Sequence, residues 1–495
     1  MKQVRNILMS LILYCIVGML IWIVENAILN YDQIIYKFNP IFVILGIGIY
    51  LFIIKIINEK LIKKISKIRY IHIIFFIVFF VLSLIIGCLL KLNPSWDMGE
   101  VFNIAKSYAL NNNMNGSAYL VSYPNNIMIT IIYTVVFKIN YFLGIKDFIT
   151  VATIFNACCI TATVILTYYI AKIMYNKEKA TLALIILLFT TPLYLHVAIY
   201  YTDSLSMFFS TLILFMYCLI KKEKNKNKSL FLQIGLGIIL IIAWKVKITS
   251  VFVAIAIGIC LLFNNFKIKK IKNLVVVVIT MIVLLVGYNS IIENRINHRL
   301  DKQYYQMPIE HWILLGLTEN GGFNQSIYEY TNSFSTYNEK KEADILKIKE
   351  TIKNYSCNDF IKHLTVKLKY AWTDGTYFAP EKLRRQPVKK TSIHEFVLAD
   401  GKYNKYYKYF PQSMHIGLLV LMIISCIKNI KEKDYASDKM ILVISIFGLM
   451  VFLLIWENRS RYILTMLPLY ILLGIDGVEY LTKLFYRKKG LTNEK

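Results

Sequence analysis

Residues 60–100 read KLIKKISKIRYIHIIFFIVFFVLSLIIGCLLKLNPSWDMGE. Five cations (Lys60, Lys63, Lys64, Lys67 and Arg69) precede an apolar run over 70–91, and a polar stretch with two acids follows it. A run of about 18 or more apolar residues matches a hydrocarbon layer roughly 30 Å thick. Backbone groups in lipid must be paired within their own segment, so the run is a helix. The cations mark the side of the membrane on which it starts.

Working outward, the same pattern recurs along all 495 residues, of which 57% are hydrophobic. The expected spans are 7–25, 38–57, 70–91, 148–171, 180–198, 204–220, 229–244, 249–265, 273–292, 414–430, 439–456 and 463–483. These twelve segments predict an all-α polytopic membrane protein of the cell membrane. A β-barrel would show short alternating segments instead. The first run follows Lys2 and Arg5 and ends at Glu25 and Asn26 without a small-residue cleavage pattern, so it reads as a retained anchor.

The formal charge of +27 fits this topology rather than nucleic-acid binding. Basic clusters at 60–69, 172–179, 221–228, 267–272, 428–433 and 487–489 all fall on one side if there are twelve crossings. The positive-inside rule makes that side, and both termini, cytoplasmic. Residues 125–144 (NNIMITIIYTVVFKINYFLG) are nearly long enough to cross, but a crossing there would invert every later loop. They are therefore expected as an outer juxtamembrane helix, begun by Pro124 and interrupted by Lys138. The chain divides into an N-terminal two-helix addition (1–69), a membrane core (70–292) with a first outer loop (92–147), a mostly helical extracytoplasmic segment (293–413), and C-terminal membrane helices with a cytoplasmic tail (414–495). Of eight cysteines, seven lie in apolar runs and Cys357 lies in a polar segment, which is neither a disulfide framework nor a zinc pattern.

Charges on the expected outer side are the candidates for chemistry. Asp97 and Glu100 are three apart and share a helix face. A carboxylate at the surface can take a proton from a hydroxyl. The same pair also reads as a capping box opening a helix over 98–112. Asp203, in Tyr200-Tyr201-Thr202-Asp203-Ser204, lies where a charge is expensive and so often functional, and it too reads as an N-cap. Lys245 and Lys247 in WKVKIT, and Arg459 and Arg461 in ENRSRY, are cations on a side that should hold few. They fit either contact with a lipid phosphate or snorkelling to headgroups. Carboxylates near a hydroxyl and cations near a phosphate are the layout for moving a sugar from a lipid phosphate to an acceptor. The acids could hold a divalent cation, but no dedicated ligand cluster is visible.

At these residues the sequence resembles the bacterial polyprenyl-phosphate-dependent glycosyltransferases of the GT-C fold, family 39, relatives of protein O-mannosyltransferases and of the lipid A aminoarabinose transferase. The matching motifs run from about Pro94 onward. They are WDMGEVF with Asp97, YPNN (Tyr123 to Asn126), Tyr-Thr-Asp at Asp203, Lys-x-Thr at Lys247, HWILLGL (His311 to Leu317), and Arg461-Tyr462 before Pro468. The resemblance implies Asp97 as base, with Asp203 positioning the acceptor or base. Lys247 and Arg461 would lie on the lipid phosphate, and His311, Tyr123 and Asn125 would be substrate contacts. The family's first acid is often followed immediately by a second, whereas here Met98 follows Asp97 and Glu100 comes later. The implied donor is a polyprenyl-phosphate sugar, with protein, teichoic acid or polysaccharide as acceptor. Two other readings stay open: a polysaccharide polymerase or ligase using outer arginines and a histidine, and a lipid or sugar flippase, which would bury more ionisable residues within its spans.

Overall fold

The computed structural model describes residues 2–29, 37–111, 117–263, 268–293 and 302–488. The apolar runs are helices, and no strand forms among the described residues. Among the described residues, eight helices are long and apolar enough to cross a bilayer: Lys2–Leu29, Pro40–Lys67, Ile71–Leu89, Phe148–Met174, Thr202–Lys222, Lys226–Val246, Asn404–Glu432 and Ser460–Thr482. Lys177–Phe189 and Thr191–Ala198 form a further pair, bent by 57°. Three shorter apolar helices, Ile248–Phe263, Leu274–Ser290 and Lys439–Ile455, occupy the other expected segments. Many side chains on these helices are large, apolar and exposed, among them Phe42, Phe52, Ile77 and Val283. Such faces suit lipid and would be costly in water.

The bundle closes through small residues. Gly477 meets Leu421 so tightly that a Cβ there would overlap the Leu421 carbonyl oxygen. This lets helix Leu467–Lys488 lie against helix Tyr409–Glu432. The N-terminal pair docks on the latter helix too. Phe38 and Phe42 meet the Tyr409 ring edge-on at 5.5 and 5.7 Å, and the Asn39 N–H donates to the Tyr409 hydroxyl at 3.0 Å.

One end of the bundle gathers the basic loops. Lys428, Lys439 and Lys179 converge on buried Asp476 at 3.0, 3.3 and 3.6 Å, and Lys221 pairs with Asp438. Lys179, Lys221 and Lys428, from three of the six expected basic clusters, therefore lie at one end. Lys267 and Lys489 of the expected clusters lie outside the described residues.

At the other end, residues 124–142 form a short 3₁₀ turn and helix Ile127–Phe142. Its Ile129, Tyr133 and Phe137 are buried while Val135, Ile139 and Phe142 are exposed. From residue 302 to 413 the chain is helices and loops, including Ile309–Gly316, Tyr337–Asn354 and Cys357–Trp372.

The bend after Phe189 has a specific support. The chain tightens there to a 3₁₀ turn, His196–Ala198, and the Asn156 side-chain amide donates to the carbonyls of His196, Val197 and Ile199 at 2.8, 2.9 and 3.2 Å. Buried carbonyls need such partners. The turn so held delivers Tyr200, Tyr201 and Asp203 to the bundle interior.

Candidate active site

The site is organised around Trp96. This residue opens helix Trp96–Asn111 with φ at 47°, a left-handed conformation that costs a side chain of this size about 1–3 kcal/mol. The turn is tight: the Gly99 N–H donates to the Ser95 carbonyl at 2.8 Å, and a Cβ on Gly99 would lie 2.8 Å from the Pro94 carbonyl carbon.

The helix thus begins two residues earlier than expected, and this changes the role of Asp97. Asp97 sits in the first turn, not at the cap, and no capping box forms with Glu100. Its carboxylate instead accepts from the Tyr119 hydroxyl at 3.1 Å. The Asn126 amide donates to that hydroxyl at 2.7 Å, and the Tyr201 hydroxyl donates to the Asn126 carbonyl oxygen at 3.0 Å. The Tyr201 ring meets Trp96 edge-on at 5.3 Å.

Asp203 is not a cap either. It lies in the first turn of Thr202–Lys222, fully buried, between two cations. Lys247 donates to one oxygen at 2.6 Å and Arg461 to the other at 3.0 Å. Lys247 also faces the Tyr462 ring at 4.4 Å. Arg461 spans the gap to the Asp97 network, with its guanidinium carbon 5.9 Å from the Trp96 ring and 5.8 Å from the Tyr201 ring. Asp203, Lys247 and Arg461 therefore touch directly, and Asp97 joins them through Tyr119, Asn126, Tyr201 and Trp96.

Two further cations complete the arrangement. The Lys382 ammonium is buried 3.3 Å from the Trp96 ring centroid, and the Arg385 guanidinium lies 5.6 Å from the same ring. Burial, then the neighbouring Arg461 and Arg385, push Lys382 down to about 5. Among the described residues, neither cation has a carboxylate within ion-pair distance, and neither does Arg459, which faces the Phe378 ring at 5.0 Å. Asp97 in turn pairs with no cation. Ser95 Oγ, Trp96 Nε1 and Arg461 Nε are buried without a hydrogen-bond partner.

The loop carrying both arginines is fixed from outside the bundle. Asp374 accepts from the Ser460 hydroxyl at 2.7 Å, Lys367 donates to the Gly316 and Trp456 carbonyls at 2.6 and 3.0 Å, and the Glu457 N–H donates to the Trp312 carbonyl at 3.0 Å. Desolvation depresses the Lys367 ammonium to about 7.

Other expected site residues lie elsewhere. Glu100 is exposed and touches none of the cluster, because it projects one turn beyond Asp97. Lys245 turns to the Tyr288 ring at 4.2 Å and to Asn289, on the neighbouring helix. His311 is buried in the outer segment, where its Nδ1 meets the Thr331 hydroxyl at 2.8 Å and that hydroxyl donates to Asp344 at 2.8 Å. Tyr123 is half-buried against Tyr119 at 5.2 Å and Trp312 at 6.5 Å. Asn125 is exposed, and the amide in the network belongs to Asn126. Among the described residues no three His, Cys, Asp or Glu side chains converge.

A helical bundle with lipid-suited faces and buried charge clusters toward its two ends defines an integral membrane protein that crosses the bilayer several times. The family model described as "conserved hypothetical integral membrane protein" matches residues 1–479, and the chain belongs to that family. A search of curated proteins finds no match. Among solved structures, the chain is similar to the archaeal oligosaccharyltransferase AglB from Archaeoglobus fulgidus, determined with an inhibitory peptide and a dolichol-phosphate. The identity is 10% and the TM-score 0.44, over 86% of this chain and 53% of that one. The chain thus spans about half the length of that protein.

Proposed function

We propose that the protein is a membrane glycosyltransferase that moves a sugar from a polyprenyl-phosphate donor to an acceptor hydroxyl, with Asp97 as base. One observation carries the reading: among the described residues, a carboxylate paired with no cation, Asp97, stands beside Trp96 together with the Arg385 guanidinium and the Lys382 amine, neither paired with a carboxylate, while Arg459 is likewise unpaired against the Phe378 ring. Displacement at an anomeric carbon needs both, held apart. Asp97 takes the acceptor proton as the acceptor oxygen bonds to the anomeric carbon. The bond from that carbon to the phosphate oxygen breaks, and its electron pair stays on the phosphate. Preorganised cations stabilise that developing charge. The carbon passes through an oxocarbenium-like state, and a single displacement inverts it.

The unpaired Arg461 Nε is a further donor for the phosphate. Lys247, committed to Asp203, becomes a positioning residue. In this reading all twelve apolar helices cross the membrane in a GT-C-like arrangement, with both termini cytoplasmic and residues 1–69 an addition to the core. Protein, teichoic acid and polysaccharide hydroxyls are the candidate acceptors.

Purified protein in nanodiscs, given synthetic polyprenyl-phosphate hexoses and pentoses, should release polyprenyl phosphate from at least one of them. No release from any sugar, with or without acceptors, would overturn the reading.

Lys382 adds a pH signature. An ammonium held near 5 in the free protein is mostly neutral at pH 7, and an adjoining phosphate raises its pKa. Between the free and bound values the complex holds more protons than its parts. Polyprenyl phosphate should therefore bind with proton uptake at pH 7 and more weakly as pH rises through that window. Calorimetry in buffers of different ionisation enthalpy reads the uptake directly. The Lys382→Gln variant should lose it.

A further inference from the structure

The segment 384–410 is unusual for its place in the fold. Residues 384–408 carry seven cations (Arg384, Arg385, Lys389, Lys390, Lys402, Lys405 and Lys408) against two acids, Glu395 and Asp400. They lie at the end of the bundle opposite the Asp476 lysine cluster, where the charge rule expects few cations. The lobe is pinned at span ends on both sides. The Val388 N–H donates to the Lys91 carbonyl at 2.8 Å, and the Thr391 hydroxyl to the Leu89 carbonyl at 3.3 Å, just where helix Ile71–Leu89 stops. At the other side the Lys408 ammonium donates to the Lys37 carbonyl, beside the start of helix Pro40–Ile56. The lobe is therefore held level with the membrane boundary.

Its surface is mixed in a particular way. Lys402 and Lys405 alternate with Tyr403 and Tyr406, each ammonium stacked about its neighbour's ring at 5.2 and 5.0 Å. Tyr406 is 69% exposed, and Phe396 and Phe410 are also exposed. Lys389 and Lys390 are exposed and form no ion pair among the described residues. Exposed aromatics are a liability in water but are favoured at the headgroup level, where their amphipathic rings sit. Unpaired lysines there are attracted to anionic headgroups.

We propose that the lobe 384–410 docks on the anionic phospholipid headgroups of the leaflet that surrounds it. The aromatic rings enter the headgroup layer, and Lys389, Lys390, Lys402 and Lys405 pair with lipid phosphates. Arg385 alone belongs to the Trp96 site; the four lysines and the exposed rings stand apart from it, and their docking does not depend on the activity proposed above.

The test is lysine footprinting of the unmodified protein in phosphatidylglycerol and in phosphatidylcholine nanodiscs, with a membrane-impermeant acylating reagent. Acylation of these four lysines should be about fivefold slower in phosphatidylglycerol and recover in 1 M salt, as expected for paired headgroup charges. Lys349 and Lys353, on helix Tyr337–Asn354, are the internal reference and should react alike in both. Equal rates for the lobe lysines in the two lipids would overturn the proposal. So would protection by an added polyanion in phosphatidylcholine without protection by phosphatidylglycerol, which would make the surface a polymer site.

Discussion

Replacing Asp97 by Asn should abolish sugar transfer while leaving a folded, membrane-inserted protein. The substitution keeps the shape of the side chain and an oxygen for the Tyr119 hydroxyl, 3.1 Å away in the structure. It removes the group that receives the acceptor proton. A positioned base contributes typically 10²–10⁴-fold to a rate, so release of polyprenyl phosphate should fall by about that factor. Donor binding should change little, because the cations about Trp96 are untouched. An Asp97→Asn protein that turns over at the original rate would return the chain to the polymerase or ligase reading, which relies on arginines and needs Asp97 less.

The second large effect is on stability. Asp203 is the only carboxylate within ion-pair distance of either Lys247 or Arg461 among the described residues, and all three are sheltered from solvent. Removing one partner of a buried pair leaves an uncompensated charge, at a cost of about 3–5 kcal/mol. Asp203→Asn should therefore lower the midpoint of unfolding in mixed detergent sharply. Adding Lys247→Met should restore part of the loss, since one of the two stranded cations is then gone. A double-mutant cycle measures this coupling. If the double variant is destabilised by the full sum of the two single changes, the clamp is not the source of Asp203's importance.

The apolar runs are legible directly because lipid leaves the backbone one choice, and three of the cationic loops, those of Lys179, Lys221 and Lys428, do share an end. Boundaries were harder. Helix Tyr409–Glu432 starts before the expected 414 because Pro411 falls in its first turn, where proline is tolerated.

In the site, the expensive positions of Asp203, Lys247 and Arg461 were visible from composition, since each is a charge in an apolar or sparsely charged context. The capping roles of Asp97 and Asp203 followed from spacing alone and did not survive. The left-handed backbone at Trp96 shifts the helix start, and no side-chain pattern announces that shift. Lys382 and Arg385 were missed because they sit in a segment already crowded with lysine. The only available signal was KLRR over 382–385, a dense cationic run on the side expected to hold few. Asn125 and Asn126 are adjacent in a 3₁₀ turn and point to different surroundings, a distinction that identical residues cannot encode.

The bent pair after Phe189 trades axial length for lateral reach. Eight residues, 191–198, advance about 12 Å along their own axis, and at 57° from the preceding helix they displace the chain sideways by roughly 10 Å, about one helix diameter. A straight continuation would have spent that distance travelling parallel to its neighbours, leaving the next acid on the periphery. Crossing over instead brings it between facing side chains of two distant segments, Lys247 and Arg461. The turn's own N–H groups meet two of the three carbonyls and a residue of a different helix reaches all of them, so the placement of a charged group in one part of the chain is tied to an uncharged amide some forty positions away.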